Sequence, residues 1–163
     1  MYSQPLAYFL TWTCYGTRLH GDPRGTVDRW HNTYGESMLA TDHRRRESID
    51  ERLVHGPYHL GDRERAIVEA VIREHIVRRK WSLHAINVRT THVHVVVSAG
   101  KYTPELAMDQ LKGWGTRRLR DAGLLGPAAP AWTAHGSTVY VWNEEQLFEV
   151  VNYVQNCQGD DLP

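Results

Sequence analysis

The distribution of hydrophobic and polar positions predicts strand, helix, strand, strand, helix, strand, helix. Tyr8 to Tyr15 is rich in aromatic and β-favouring residues and stops at Gly16, so it reads as a first strand. Its Thr11-Trp12-Thr13 alternation puts polar atoms on one face. From Arg63 to Arg79, Val68, Val71, Ile72 and Ile76 recur at helical spacing, with His75 inside the stripe as a packed histidine. Ser82 to Val88 alternates and turns back through Arg89-Thr90-Thr91 into His92 to Ser98, which predicts an antiparallel pair. Thr103 as N-cap, Pro104 at the first helical position and Glu105 near the positive helix end start the next helix. It runs to about Arg120, with Met108, Leu111 and Leu119 facing inward.

After a linker from Gly123 to Pro130, Thr138 to Trp142 reads as a strand, and Asn143-Glu144-Glu145-Gln146 resembles a capping box. Leu147, Val150, Val151 and Val154 then lay a stripe on the core. At 100° per residue Tyr153 falls roughly 110° from the centre of that stripe, at its edge or beyond. Between Gly21 and about Leu60 periodicity is lost. Gly-Asp-Pro-Arg-Gly, the basic run Arg44-Arg45-Arg46 and His-Gly-Pro at 55–57 read as a long irregular insertion with a short helix around Ser48 to Leu53. A loop of that size inside a compact domain is usually functional, or else evidence against the element assignment.

The densest chemistry lies in Thr90-Thr91-His92-Val93-His94-Val95-Val96-Val97. On a strand, His92, His94 and Val96 share one face and Val93, Val95 and Val97 the other. Two imidazoles leaving a rigid element in the same direction make a two-toothed clamp for a divalent metal. The competing interpretation is that they pack or hydrogen-bond at a half-exposed sheet surface.

Composition narrows the class. The chain has 163 residues, 41% of them hydrophobic, with 19 Lys+Arg against 19 Asp+Glu. That is one domain's worth of ordinary globular sequence, 1–163, containing the 21–60 insertion, and not a disordered one. Zero net charge neither requires nor excludes nucleic acid; the distribution decides. Residues 101–120 hold five basic and two acidic side chains. Within them Lys-Gly-Trp-Gly at 112–115 adds an aromatic ring and two points of close backbone approach to a basic surface. Lys112, Trp114, Arg117, Arg118 and Arg120, joined by Arg44 to Arg46, are therefore candidate DNA contacts, against the plainer reading of a solvated helix face. Two cysteines, Cys14 and Cys157, are too few for a disulfide framework, and both are expected to be reduced in a cytoplasmic protein. No signal peptide or membrane span is expected.

Taken together, several features resemble the single-tyrosine HUH transposases, the IS200-like enzymes related to the REP-associated tyrosine transposases. These are the Tyr-Phe-Leu-Thr-Trp strand, the amphipathic helix, His92-Val93-His94 followed by valines, the Leu-Lys-Gly-Trp helix, the Trp-bearing strand and the final helix with Tyr153. The resemblance covers nearly the whole chain outside 21–60, although Asn152-Tyr153-Val154-Gln155-Asn156 departs from the usual REP-associated signature. It implies an α+β, ferredoxin-like or RRM-like antiparallel sheet with helices packed on one face and a C-terminal helix carrying the tyrosine. It also implies a homodimer. The activity implied is metal-dependent cleavage and joining of single-stranded DNA bearing a hairpin, with Tyr153 as nucleophile, a 5′-phosphotyrosine intermediate, and His92 and His94 on Mg²⁺ or Mn²⁺. The family places a glutamine four residues after the tyrosine; here that position is Cys157 and Gln158 follows. A hard cation favours the amide oxygen over a thiol, so Gln158 is taken as third ligand. On a continuous helix, however, Cys157 projects closer to Tyr153. The departure keeps a weakened, domesticated enzyme in view.

Two other classes fit parts of the pattern. A histidine-triad nucleotide hydrolase also uses alternating histidines, but its third alternate position is Val96 here. An RRM-like single-stranded DNA- or RNA-binding module would use Trp12 or Tyr8 as a stacking platform and bind without metal.

Overall fold

The computed structural model describes residues 4–17 and 55–156. Arg44 to Arg46, the expected helix around Ser48 to Leu53, Cys157 and Gln158 lie outside the described residues. The elements run β1 (Ala7–Thr13), α1 (Asp62–Arg78), β2 (Ser82–Val88), β3 (His92–Ser98), α2 (Pro104–Asp121), β4 (Ser137–Val141) and α3 (Glu144–Asn156). The four strands form one sheet in the order β2-β3-β1-β4, and every neighbouring pair is antiparallel. This is the α+β, ferredoxin-like arrangement that the order of elements predicts.

Strand alternation divides the core in two. Tyr8, Leu10 and Trp12 of β1, with Val93, Val95 and Val97 of β3, face the two long helices and meet Val68 and Ile72 of α1 and Leu111 and Leu119 of α2. Ala7, Phe9, Ala85, Val96 and Val141 point the other way and are covered by Val150 and Val154 of α3. The long helices thus share one face, and the tyrosine-bearing helix lies on the opposite one. Burying each of Val150 and Val154 contributes roughly 1.5–3 kcal/mol to holding α3 there.

Local signals account for the helix ends. The Thr103 hydroxyl accepts from the Leu106 amide at 3.2 Å, and Pro104 follows it. Asn143 accepts from the Gln146 amide at 2.9 Å, while the Gln146 side chain accepts from the Trp142 amide at 2.9 Å. That is a capping box whose return bond falls one residue early. β1 ends at Thr13, two residues sooner than its composition predicts: Cys14 makes only an isolated bridge to Trp132, and the chain turns at 15–17. The end of the long insertion is pinned down, with Leu60 buried and its amide bonded to the Thr90 carbonyl at 2.8 Å. Burial pushes the Cys14 thiol up to about 12, consistent with an unreactive core thiol. Among the described residues no helix is long and apolar enough to cross a membrane.

Candidate metal and nucleic-acid site

β3 lies between β1 and β2, so each histidine has a cross-strand neighbour on both sides or one. His94 pairs with Thr11 of β1 and with Asn87 of β2; His92 pairs with Thr13. Because directly opposed residues share a face, the histidines look out on the same side as Phe9, Thr11, Thr13 and Asn87, the side covered by α3. The two imidazole centroids lie 4.7 Å apart.

Each ring is fixed through the same nitrogen. Thr11 Oγ1 bonds to His94 Nδ1 at 2.9 Å, and Thr91 Oγ1 to His92 Nδ1 at 3.1 Å. A metal-ligating imidazole is commonly oriented in this way, with one ring nitrogen held by the protein and the other coordinating. The pair therefore suits two positions of a divalent centre. Among the described residues no group of three or more His, Cys, Asp or Glu is gathered to hold a metal, and Gln158 is outside them.

Tyr153 reaches this face from α3. Its ring stands edge-on to His94, with centroids 5.9 Å apart and planes at 82°. Phe9 completes a triangle, 5.7 Å from His94 and 6.0 Å from Tyr153. The side chain at the margin of the apolar stripe is thus the one that α3 turns toward the histidines. Asn87 fastens this turn: its Nδ2 donates to the Val154 carbonyl at 3.0 Å.

Phe9, Thr11 and Asn87 are neighbours of the site that the sequence alone does not mark as such. The polar face of Thr11-Trp12-Thr13 was the available signal for Thr11, and period-two counting from His94 only becomes informative once the register is known. Asn87 carries no sequence signal of its own.

The five basic-helix candidates lie on α2, across the sheet from the histidines. Trp114 is flanked by guanidinium groups, with Arg117 at 4.8 Å and Arg78 of α1 at 5.7 Å from its ring centroid. Arg118 pairs with Glu74 at 2.9 Å. Arg120 donates to the carbonyls of Gly126 and Ala129, tying down the loop after α2. Lys112 is only 9% exposed and its ammonium donates to the Thr133 carbonyl at 2.8 Å. Burial lowers its pKa, and Asp109 offsets this in part. The close approach at Gly115 is internal: a Cβ there would lie 3.2 Å from the Trp132 ring, whose Nε1 donates to the Lys112 carbonyl at 3.0 Å.

Two other expectations can be placed. Trp12 and Tyr8 face the long helices and are 1% and 8% exposed, so neither offers a surface for stacking a base. Val96, in the third alternate position, is buried beneath α3.

No family model and no curated protein matches the chain. Among solved structures it is similar to a candidate transposase of Deinococcus radiodurans R1, at 18% identity and a TM-score of 0.48, over 95% of this chain and 92% of that one. It is also similar to a REP-associated tyrosine transposase solved bound to a REP hairpin, at 11% identity and a TM-score of 0.50. That match covers 94% of this chain and 67% of the other. The chain shares the overall fold of this tyrosine transposase.

Proposed function

We propose that this protein is a single-tyrosine HUH enzyme that nicks and rejoins single-stranded DNA next to a hairpin. The observation that carries this is the meeting of His94 and Tyr153, 5.9 Å apart between ring centroids although they come from different elements on the same sheet face. The fold shared with a hairpin-bound tyrosine transposase supports the choice of substrate.

The Tyr153 hydroxyl loses its proton and attacks the scissile phosphorus. A bond from the tyrosine oxygen to phosphorus forms, the bond from phosphorus to the 3′ oxygen breaks, and that oxygen takes up a proton. The products are a 5′-phosphotyrosine and a free 3′-OH. A second 3′-OH can reverse the exchange and join strands. His92 and His94, with Gln158 as third ligand, would hold a Mg²⁺ or Mn²⁺ ion, which would supply positive charge to offset the charge developing on the phosphate. Two imidazoles favour Mn²⁺ over the oxygen-seeking Mg²⁺. Thr11 and Thr91 keep the rings aimed, and Asn87 and Phe9 keep the tyrosine beside them.

In this scheme Tyr153 serves the histidines of its own chain, and the active form is a homodimer. Arg117 and Arg120 are the exposed members of the basic helix available to hairpin phosphates, with the half-buried Trp114 and Arg118 beside them; Lys112 stands behind this surface. A covalent protein–DNA product that requires Tyr153 and the histidines is the test.

A further inference from the structure

Tyr140 on β4 and Trp142 just beyond it form an exposed aromatic pair that nothing in the catalytic scheme uses. β4 is an edge strand of the described sheet. Its alternation sends Val139 and Val141 toward α3 and brings Tyr140 opposite Tyr8, on the face of the long helices. Yet Tyr140 and Trp142 remain 45% and 49% exposed. Their rings are stacked, with centroids 5.6 Å apart and planes within 24°. The pair is rigid at its base. Tyr8 braces Tyr140 edge-on at 5.6 Å, and the Tyr8 hydroxyl is itself bonded to the Tyr102 carbonyl at 2.8 Å.

The two rings border a cleft of about 710 Å³ whose other walls include Glu105, Asp109 and His135. Thr138 fixes Glu105, its hydroxyl donating to Oε1 at 3.2 Å. This combination is selective. The carboxylates repel a phosphate and penalise a purely apolar group, whereas a flat heteroaromatic ring with N–H donors on its edge satisfies both the stacked rings and the acids.

We propose that this cleft binds one unpaired nucleobase of the single-stranded substrate, stacked on Trp142 and Tyr140 with its exocyclic amino group donated to Glu105 or Asp109. Cytosine, adenine and guanine carry that amino group and thymine does not. The site rests on the single-stranded DNA function proposed above. Only β1 separates β4 from the histidine strand, about 10 Å at ordinary strand spacing, so one DNA strand rounding the β4 edge meets both places.

The test is titration of the whole 163-residue chain with unstructured dC5, dA5 and dT5 and with a blunt hairpin, followed by fluorescence anisotropy. Trp142→Ala is expected to weaken dC5 and dA5 about fivefold or more and to leave the blunt hairpin unchanged. Trp142→Phe should retain most of the affinity. Glu105→Gln with Asp109→Asn should remove the preference for dC5 over dT5. Binding of dC5 by Trp142→Ala within twofold of the parent protein overturns the subsite. So does a loss accompanied by a change in oligomeric mass on sedimentation, which would make the pair a protein interface. No dC5 binding by the parent protein overturns it as well, whatever a covalent-adduct assay gives. Trp142-dependent dC5 binding without any Tyr153 adduct would sink the strand-transfer function and leave the subsite standing.

Discussion

The side-chain amide of Asn87 donates to the carbonyl of Val154 at 3.0 Å, tying β2 to the turn of α3 that carries Tyr153. Val154 lies in the last turn of α3, Glu144–Asn156, where carbonyls run short of donors within the helix. Asn87 also stands opposite His94 in the strand register, so one residue addresses both halves of the site. Asn87→Ala is expected to cost about 1 kcal/mol of stability and to slow covalent adduct formation about tenfold, with hairpin affinity unchanged. Asn87→Asp, which cannot donate, should be no better. Hydrogen exchange at the α3 amides is the independent readout. Unchanged protection there in Asn87→Ala would mean that this bond does not hold the helix.

Thr11 acts on His94 through a 2.9 Å hydrogen bond to Nδ1. Thr11→Val keeps the shape and removes that partner. Mutation of such outer partners commonly weakens metal binding by about 10- to 100-fold. Titration of Mn²⁺ by calorimetry should therefore show at least a tenfold weaker site in Thr11→Val with little change in melting temperature. Equal Mn²⁺ affinity would remove Thr11 from any role in the centre.

For Lys112 the expectation is a structural effect that exceeds the effect on DNA. Its ammonium satisfies the Thr133 carbonyl at 2.8 Å, and Lys112→Met should destabilise the fold by about 1–2 kcal/mol while changing hairpin affinity less than Arg117→Ala does. The pH dependence has a definite sign. Burial lowers the lysine pKa in the folded protein, so the unfolded chain binds more protons in the window below the ordinary value of 10.5. The parent protein should accordingly gain stability relative to Lys112→Met as the pH rises through that window. Denaturant midpoints at pH 7 and pH 9.5 measure it. A larger loss of DNA affinity in Lys112→Met than in Arg117→Ala would make the lysine a phosphate contact.

Much of the fold is legible because its signals are local. Ser82–Val88 and His92–Ser98 are bounded as the alternation predicts, and Thr103-Pro104-Glu105 marks the start of α2. The site is less legible, because its supports are matters of register and packing. The sequence places Tyr153 off the apolar stripe of its helix; only the docking of α3 across the second sheet face turns it toward His94. The same limit applies to the Lys-Gly-Trp-Gly stretch. A basic and glycine-containing helix suggests phosphate contact, but Gly115 makes room for Trp132 and Lys112 reaches Thr133, both contacts with a segment distant in sequence. Tyr140 and Trp142 read as ordinary strand residues until the sheet order shows that they lie at an edge.

The most direct test of the central claim is a denaturing gel of the protein incubated with labelled hairpin-bearing single-stranded DNA and Mn²⁺. A slowly migrating covalent protein–DNA band is expected for the parent protein. It should be absent in Tyr153→Phe, and absent in His92→Ala and His94→Ala while those two still bind the hairpin. A band of undiminished intensity in Tyr153→Phe would contradict the assignment of Tyr153 as the nucleophile.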